Sequence, residues 1–178
     1  MQQAVHLMPQ AVDAAIVALQ NLLGREHVIT NRTELEFYSQ DVYRAGQLPA
    51  AVIRPADTAQ LSAALAAIAP SGLPIVPRGG GMSYTDGYLP SRPDSIMIDM
   101  QRMNRVLVID AEDLYVTVEC GATWKDLFDA LAPHGVRTPY YGPLSGLRST
   151  IGGALSQGSI FLGSGRYGAA AESVIGLD

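Results

Sequence analysis

Val76–Gly87 reads VPRGGGMSYTDG and sets three glycines side by side between an apolar run and a turn-like segment. Glycine loses more backbone freedom on folding than any other residue, and inside a regular element it costs roughly 0.5–1 kcal/mol relative to alanine. Gly79, Gly80 and Gly81 together therefore imply a backbone that side chains would obstruct. Two readings fit: a surface turn, or a loop whose bare N–H groups wrap an anion, since successive amides in unusual conformations form an anion-binding nest.

Upstream of the glycines the pattern is β–α–β. AVIR from Ala51 is a short β run, and Asp57 then caps the helix TAQLSAALAAIA, with Gln60 at capping-box spacing. SG ends that helix and LPIV is the next β run, so the glycines directly follow the second strand. Residues 1–45 form a helical segment: VDAAIVALQNLLG from Val12 spaces its apolar residues for one helix face, and Gly24 is its stop. NRTELEFYSQDVYRAG is a shorter polar segment that ends in a loop. Residues 46–178 make up the principal domain.

Downstream, SIMIDM, RVLVID and LYVTVEC are three β-rich runs separated by short polar turns. Thr123 with Asp126 starts the helix WKDLFDALAPHG, which Gly135 closes. Strands that follow strands, with helices between only some, define an α+β fold rather than a regularly alternating doubly wound sheet.

The bulk composition limits the function. With 178 residues, 48% hydrophobic and 16% charged, the chain can bury a real core and is too apolar for disorder. A net charge of −5 argues against a large nucleic-acid footprint, though small anions can bind locally. The single cysteine, Cys120, excludes an internal disulfide and reads as an inert packed thiol in YVTVECGA. No signal peptide precedes the first helix, and no run approaches the ~18 continuous apolar residues of a membrane span. The expectation is a soluble, cytoplasmic protein.

After Tyr141 the composition shifts to GPLSGLRSTIGGALSQGSIFLGSGRYGAAA, which holds eight of the eighteen glycines. Within it GSGRYG, Gly163–Gly168, spells the G-x-G-x-x-G dinucleotide fingerprint. It lacks the required context, a preceding first strand and an acidic residue about twenty positions on. PRGGGMSY has no Lys-Ser or Lys-Thr pair and is not a P-loop. His6, His27 and His134 have no spacing that brings two onto one metal, and no metal site is expected. Hydrolase signatures are missing, and paired-carboxylate catalysis has no specific support.

The two glycine-rich regions, taken in order, resemble the PCMH-type FAD-binding domain of the vanillyl-alcohol oxidase family over about Thr30–Asp178. The family loop P-x-G-G-G-x-S occurs as Pro77–Ser83. MNRVL at Met103–Leu107, VECGATWKDL, PLSGLRSTIGGALSQG and RYG at Arg166–Gly168 follow in the family's order. The look-alikes are its 2-hydroxy-acid members, such as glycolate oxidase subunits and D-lactate dehydrogenases.

That resemblance implies two small α/β subdomains that hold FAD. Arg78, Gly79, Gly80, Gly81, Met82, Ser83 and Tyr84 would lie against its pyrophosphate. Ser145, Thr150, Gly152, Gly153, Gln157, Gly158 and Ser159 would line the rest of the cofactor channel. Met82 stands where covalently flavinylated members often carry histidine, which implies non-covalent FAD. The chain ends where the family's domain would continue, so the resemblance also implies a domain truncated at its C-terminal end, with the substrate (cap) domain absent. The implied reaction is hydride transfer from a CH–OH group of a 2-hydroxy acid or alcohol, with oxygen, a quinone or another electron acceptor. No catalytic residue is named, because the base would lie in the cap domain. Two alternatives share the loop: a reductase of the UDP-N-acetylenolpyruvoylglucosamine type and a non-catalytic nucleotide-binding module.

Overall fold

The computed structural model describes residues 8–140 and 146–177. These form two compact units, Met1–Arg102 and Met103–Asp178.

In the first unit, helix α1 (Met8–Leu23) starts one turn earlier than Val12 and ends at Gly24, whose φ of 89° suits only glycine without strain. Strand β1 (Val28–Ile29) and helix α2 (Arg32–Tyr38) follow. The polar segment is helical because the Asn31 side chain accepts from the N–H groups of Thr33 and Glu34, which caps two of the orphan donors of the first turn. Strand β2 (Ala51–Ile53), helix α3 (Thr58–Ile68), strand β3 (Ile75–Arg78) and strand β4 (Ile96–Asp99) complete the unit. Asp57 caps α3 by accepting from Gln60 N at 2.8 Å. The reciprocal half differs from a capping box: Gln60 Oε1 accepts from Ala56 N, one residue before the cap.

The sheet order is β1-β2-β4-β3, with β1 antiparallel to β2 and the other pairs parallel. The β–α–β unit therefore does not pair its own two strands; β4 inserts between them. Alternation along the strands divides the interior into two layers. Ala51, Ile53, Ile96 and Ile98 face α1 and α3, where they pack with Leu19 and Ile68. Val52 and Met97 face the opposite side with Leu35 and Tyr88. Each fully buried large aliphatic side chain contributes roughly 1.5–3 kcal/mol of transfer free energy. Because β4 is central and covered on both faces, all four of its residues are buried. Residues 8–45 are built into this unit through α1 and the edge strand β1.

The second unit opens with the antiparallel hairpin of β5 (Val106–Asp110) and β6 (Tyr115–Val118). Helix α4 (Trp124–Leu131) has the full capping box expected of Thr123 and Asp126, and Gly135 ends the following turn with φ 69°. Two short helices, α5 (Ile151–Ser156) and α6 (Ser164–Tyr167), come after it. Trp124, Leu127, Leu131, Ile151 and Ala154 form the core, and Trp124 meets Phe161 edge to face at 5.0 Å. Among the described residues no helix is long and apolar enough to cross a membrane.

Candidate functional site

The parallel pairing of β2, β4 and β3 brings their carboxyl ends to one edge of the sheet, the edge at which open α/β sheets bind ligands. Arg78 ends β3 there and leads into Gly79–Ser83. Asp99 ends β4 beside it, in register with Arg78. Arg54 follows β2, and its carbonyl accepts from Arg102 Nη1 at 2.6 Å. Arg54, Arg78 and Arg102 thus lie at the ends of adjacent strands, with the buried Asp99 carboxylate among them and the Arg54 side chain donating to the Glu26 carbonyl.

Arg78 is only 4% exposed. Its guanidinium carbon lies 4.9 Å from the Tyr38 ring centroid, 5.1 Å from that of Tyr88 and 5.6 Å from that of Phe37. Cation–π attraction at each ring of such a desolvated cage is worth about 2 kcal/mol or more, against the large cost of burying a charge. Arg78 Nε is buried without a hydrogen-bond partner. The buried Asp99 carboxylate accepts from the Tyr38 hydroxyl at 3.0 Å and from Gln101 N at 3.0 Å. Burial first, and then Asp99, push the Tyr38 hydroxyl up to about 12. Burial likewise raises Tyr88.

The guanidinium lies beneath the glycine loop. Gly81 has φ 71°, and a Cβ added there would fall 2.7 Å from Arg78 Cζ and closer still to Nη2. Glycine is required at this position twice over, by backbone conformation and by the side chain below. Among the described residues, the N–H groups of Gly79, Gly80, Gly81 and Met82 donate to no hydrogen bond, and Gly80 is a buried residue. Gly79, Gly81 and Met82 are half-buried, and a buried unpaired donor costs about 1–3 kcal/mol, so these amides are available to an anion.

Ser83 is buried at the end of the loop. Its Oγ accepts from Thr85 N at 3.1 Å and Gly87 N at 3.3 Å and so shapes the following turn. Tyr84 is exposed. The loop's far end is clasped by residues 40–44: Val42 N donates to Ser83 O, Asp86 N donates to Asp41 Oδ2, and Arg44 pairs with Asp86. The carboxyl of Asp41 is held below its usual value, first by the Arg44 backbone N–H.

The second glycine region is a helix with its caps. Thr150, 2% exposed, caps α5 by accepting from Gly153 N at 3.2 Å. Gly152 packs against Cys120, where an added Cβ would meet Cys120 Cβ at 2.7 Å and its carbonyl at 2.8 Å. Gly158, at φ 61°, ends the helix: Gly158 N donates to Leu155 O and Ser159 N to Ala154 O, the paired bonds of a Schellman cap, with Gln157 as the cap residue. The amides of Gly152, Gly153, Gly158 and Ser159 are therefore engaged within the chain. These residues can offer a ligand their small surfaces and not their N–H groups. Ser145 lies outside the described residues. Burial raises the Cys120 thiol.

GSGRYG forms the four-residue helix α6 and follows α5 rather than a strand, so it is no dinucleotide fingerprint. Buried Tyr140 pins it, with its hydroxyl 3.1 Å from the carbonyls of Tyr167 and Ala169. Sequence reasoning missed Phe37, Tyr38, Tyr88, Asp99 and Gln101. No local motif marks them, since they meet Arg78 and the loop only through strand pairing and helix packing.

A family model described as "FAD binding domain" matches residues 49–178. The chain is 29% identical over 178 aligned residues to D-lactate dehydrogenase (cytochrome) 1, mitochondrial, of Saccharomyces cerevisiae, covering 95% of this chain and 30% of that protein. It is 35% identical over 142 residues to glycolate oxidase subunit GlcD of Bacillus subtilis, covering 79% of this chain and 30% of that protein. The fold superimposes on alkyldihydroxyacetonephosphate synthase with a TM-score of 0.82 at 20% identity, over 90% of this chain and 35% of that one. The chain thus spans about 30% of the length of the curated relatives it matches.

Proposed function

The chain belongs to the family of FAD binding domains, and from that premise we propose that it holds FAD non-covalently for a flavoprotein that oxidises the CH–OH carbon of a 2-hydroxy acid or alcohol. The observation that carries the assignment of the site is the run of unpartnered N–H donors at Gly79–Met82, set above the buried Arg78 guanidinium. Neutral backbone dipoles and a desolvated cation suit a pyrophosphate, and glycine lets the anion approach the backbone closely. Met82 offers no nucleophile for a covalent link.

When bound, FAD supplies the hydride-accepting chemistry. The residues of this chain bind it, orient it and exclude water from its phosphates. The names of the relatives, D-lactate dehydrogenase and glycolate oxidase, favour small 2-hydroxy acids as the donors, with an external electron acceptor.

The full-length protein should purify yellow, release its flavin into the supernatant on acid precipitation, and bleach anaerobically with D-lactate or glycolate. Flavin that stays with the precipitate contradicts non-covalent binding. Gly80→Val places a β-branched side chain on the donor face. Loss of two charge-assisted hydrogen bonds, each ~1.5–3 kcal/mol, weakens FAD binding by at least tenfold. Gly24→Val, at the helix stop, costs stability but leaves the affinity of folded protein unchanged. Folded Gly80→Val that binds FAD as tightly as wild type in isothermal titration overturns the assignment of the loop.

A further inference from the structure

Two side chains outside the glycine loop engage its carbonyls. Gln101 Nε2 donates to the Gly79 carbonyl at 3.2 Å. The Tyr88 hydroxyl lies 3.0 Å from the Gly81 carbonyl and 2.7 Å from that of Gln40, so its one proton is shared between them. Every described peptide bond here is trans. In a trans peptide the C=O and the next residue's N–H point in opposite directions across one rigid plane. A carbonyl tied to the protein at Gly79 therefore turns the Gly80 N–H away from Gln101. The tie at Gly81 does the same for the Met82 N–H and Tyr88.

Both tethers are themselves held. Gln101 N donates to the buried Asp99 carboxylate, which the Tyr38 hydroxyl also engages. Tyr88 is 6% exposed, packed in the core layer with Met97 and Val52, and its ring is one wall of the Arg78 cage. Glycine on its own could turn either peptide over, because it populates both signs of φ with little preference. The tethers remove that freedom before any ligand arrives.

We propose that Gln101 and Tyr88 are positioning residues that hold the Gly79 and Gly81 carbonyls and thereby aim the N–H groups of Gly80 and Met82 at the anion. The anion is the pyrophosphate of FAD, so the inference rests on the reading under Proposed function. Preorganised donors bind without a reorganisation cost, and a donor free to turn away loses that advantage.

The test uses full-length apoprotein with 15N-labelled glycine and methionine, FAD as the ligand, and the variants Gln101→Met and Tyr88→Phe, each checked for folding by circular dichroism. In wild type, FAD should move the amide protons of Gly80 and Met82 downfield. Gln101→Met should diminish the Gly80 shift and spare that of Met82; Tyr88→Phe should do the reverse. Each should weaken FAD binding by about tenfold, the equivalent of one charge-assisted hydrogen bond. A purely structural role would move both amides together or neither. Wild type that binds FAD with neither amide shifted overturns the inference and leaves the FAD reading standing. So do folded variants with wild-type affinity and wild-type shifts. Should one variant fail to fold, the other decides through its own amide. Wild type that binds no FAD overturns the reading beneath it.

Discussion

Gly81→Ala tests the contact between the glycine loop and Arg78 most directly. Gly81 sits at φ 71°, and a Cβ there would fall on the Arg78 guanidinium. Gly72 has nearly the same backbone, φ 65°, with nothing within 4 Å of an added Cβ. The left-handed conformation costs an alanine roughly 1–2 kcal/mol, part of which is offset by the reduced freedom of the unfolded chain. Gly72→Ala should therefore cost about 1 kcal/mol. Gly81→Ala carries the same backbone term and must also displace a buried guanidinium from three aromatic rings. Overpacking of that kind adds roughly 1–3 kcal/mol, so the total is about 2–4 kcal/mol. Urea unfolding followed by circular dichroism, with hydrogen exchange at β4 to read the unit that carries the loop, measures both. In an Arg78→Ala background the clash is gone, and Gly81→Ala should fall to the cost of Gly72→Ala. An equal penalty with and without the Arg78 side chain, or no excess over Gly72→Ala, refutes the contact.

Two further outcomes concern titration. Tyr38 should ionise near pH 12, well above the ordinary tyrosine value, in an absorbance titration of wild type against Tyr38→Phe. Its folded value is raised, so the stability it contributes is complete below about pH 10 and is lost as pH rises through about 12. Glu119 is held below its usual value by the Arg105 side chain, whose Nε lies 3.1 Å away, and by Arg105 N at 2.8 Å. Its contribution is present above the ordinary carboxylate value and is lost as pH falls through the lowered one. In Arg105→Gln that loss should begin at higher pH, as followed by the Glu119 carboxyl carbon shift and by acid unfolding. An unchanged Glu119 titration in the variant would show that the pair does not set it.

Local chemistry was sufficient for much of this molecule. The capping box at Thr123 and Asp126, the helix stops at Gly24 and Gly135, the β runs and the α+β class all depend on residues a few positions apart, where hydrogen-bond and steric rules act without reference to the rest of the chain. The ordered motifs from Pro77 to Gly168 were enough to indicate the FAD-binding family for the same reason. Other features depended on chain segments far apart in sequence. The insertion of β4 between β2 and β3 follows from burying Ile96, Met97 and Ile98 on two faces at once, a demand that no single stretch expresses. That insertion sets Asp99 and Gln101 beside the glycine loop, and the packing of α2 and Tyr88 builds the cage that takes in Arg78. Only the tertiary structure shows that the two glycine regions are hydrogen-bonded differently. Thr150, Gly153 and Gly158 spend their polar groups on the ends of α5. The Gly79 and Gly81 carbonyls accept instead from Gln101 and Tyr88, side chains outside the loop, and no interval within VPRGGGMSYTDG encodes those bonds because strand pairing and core packing bring the partners there.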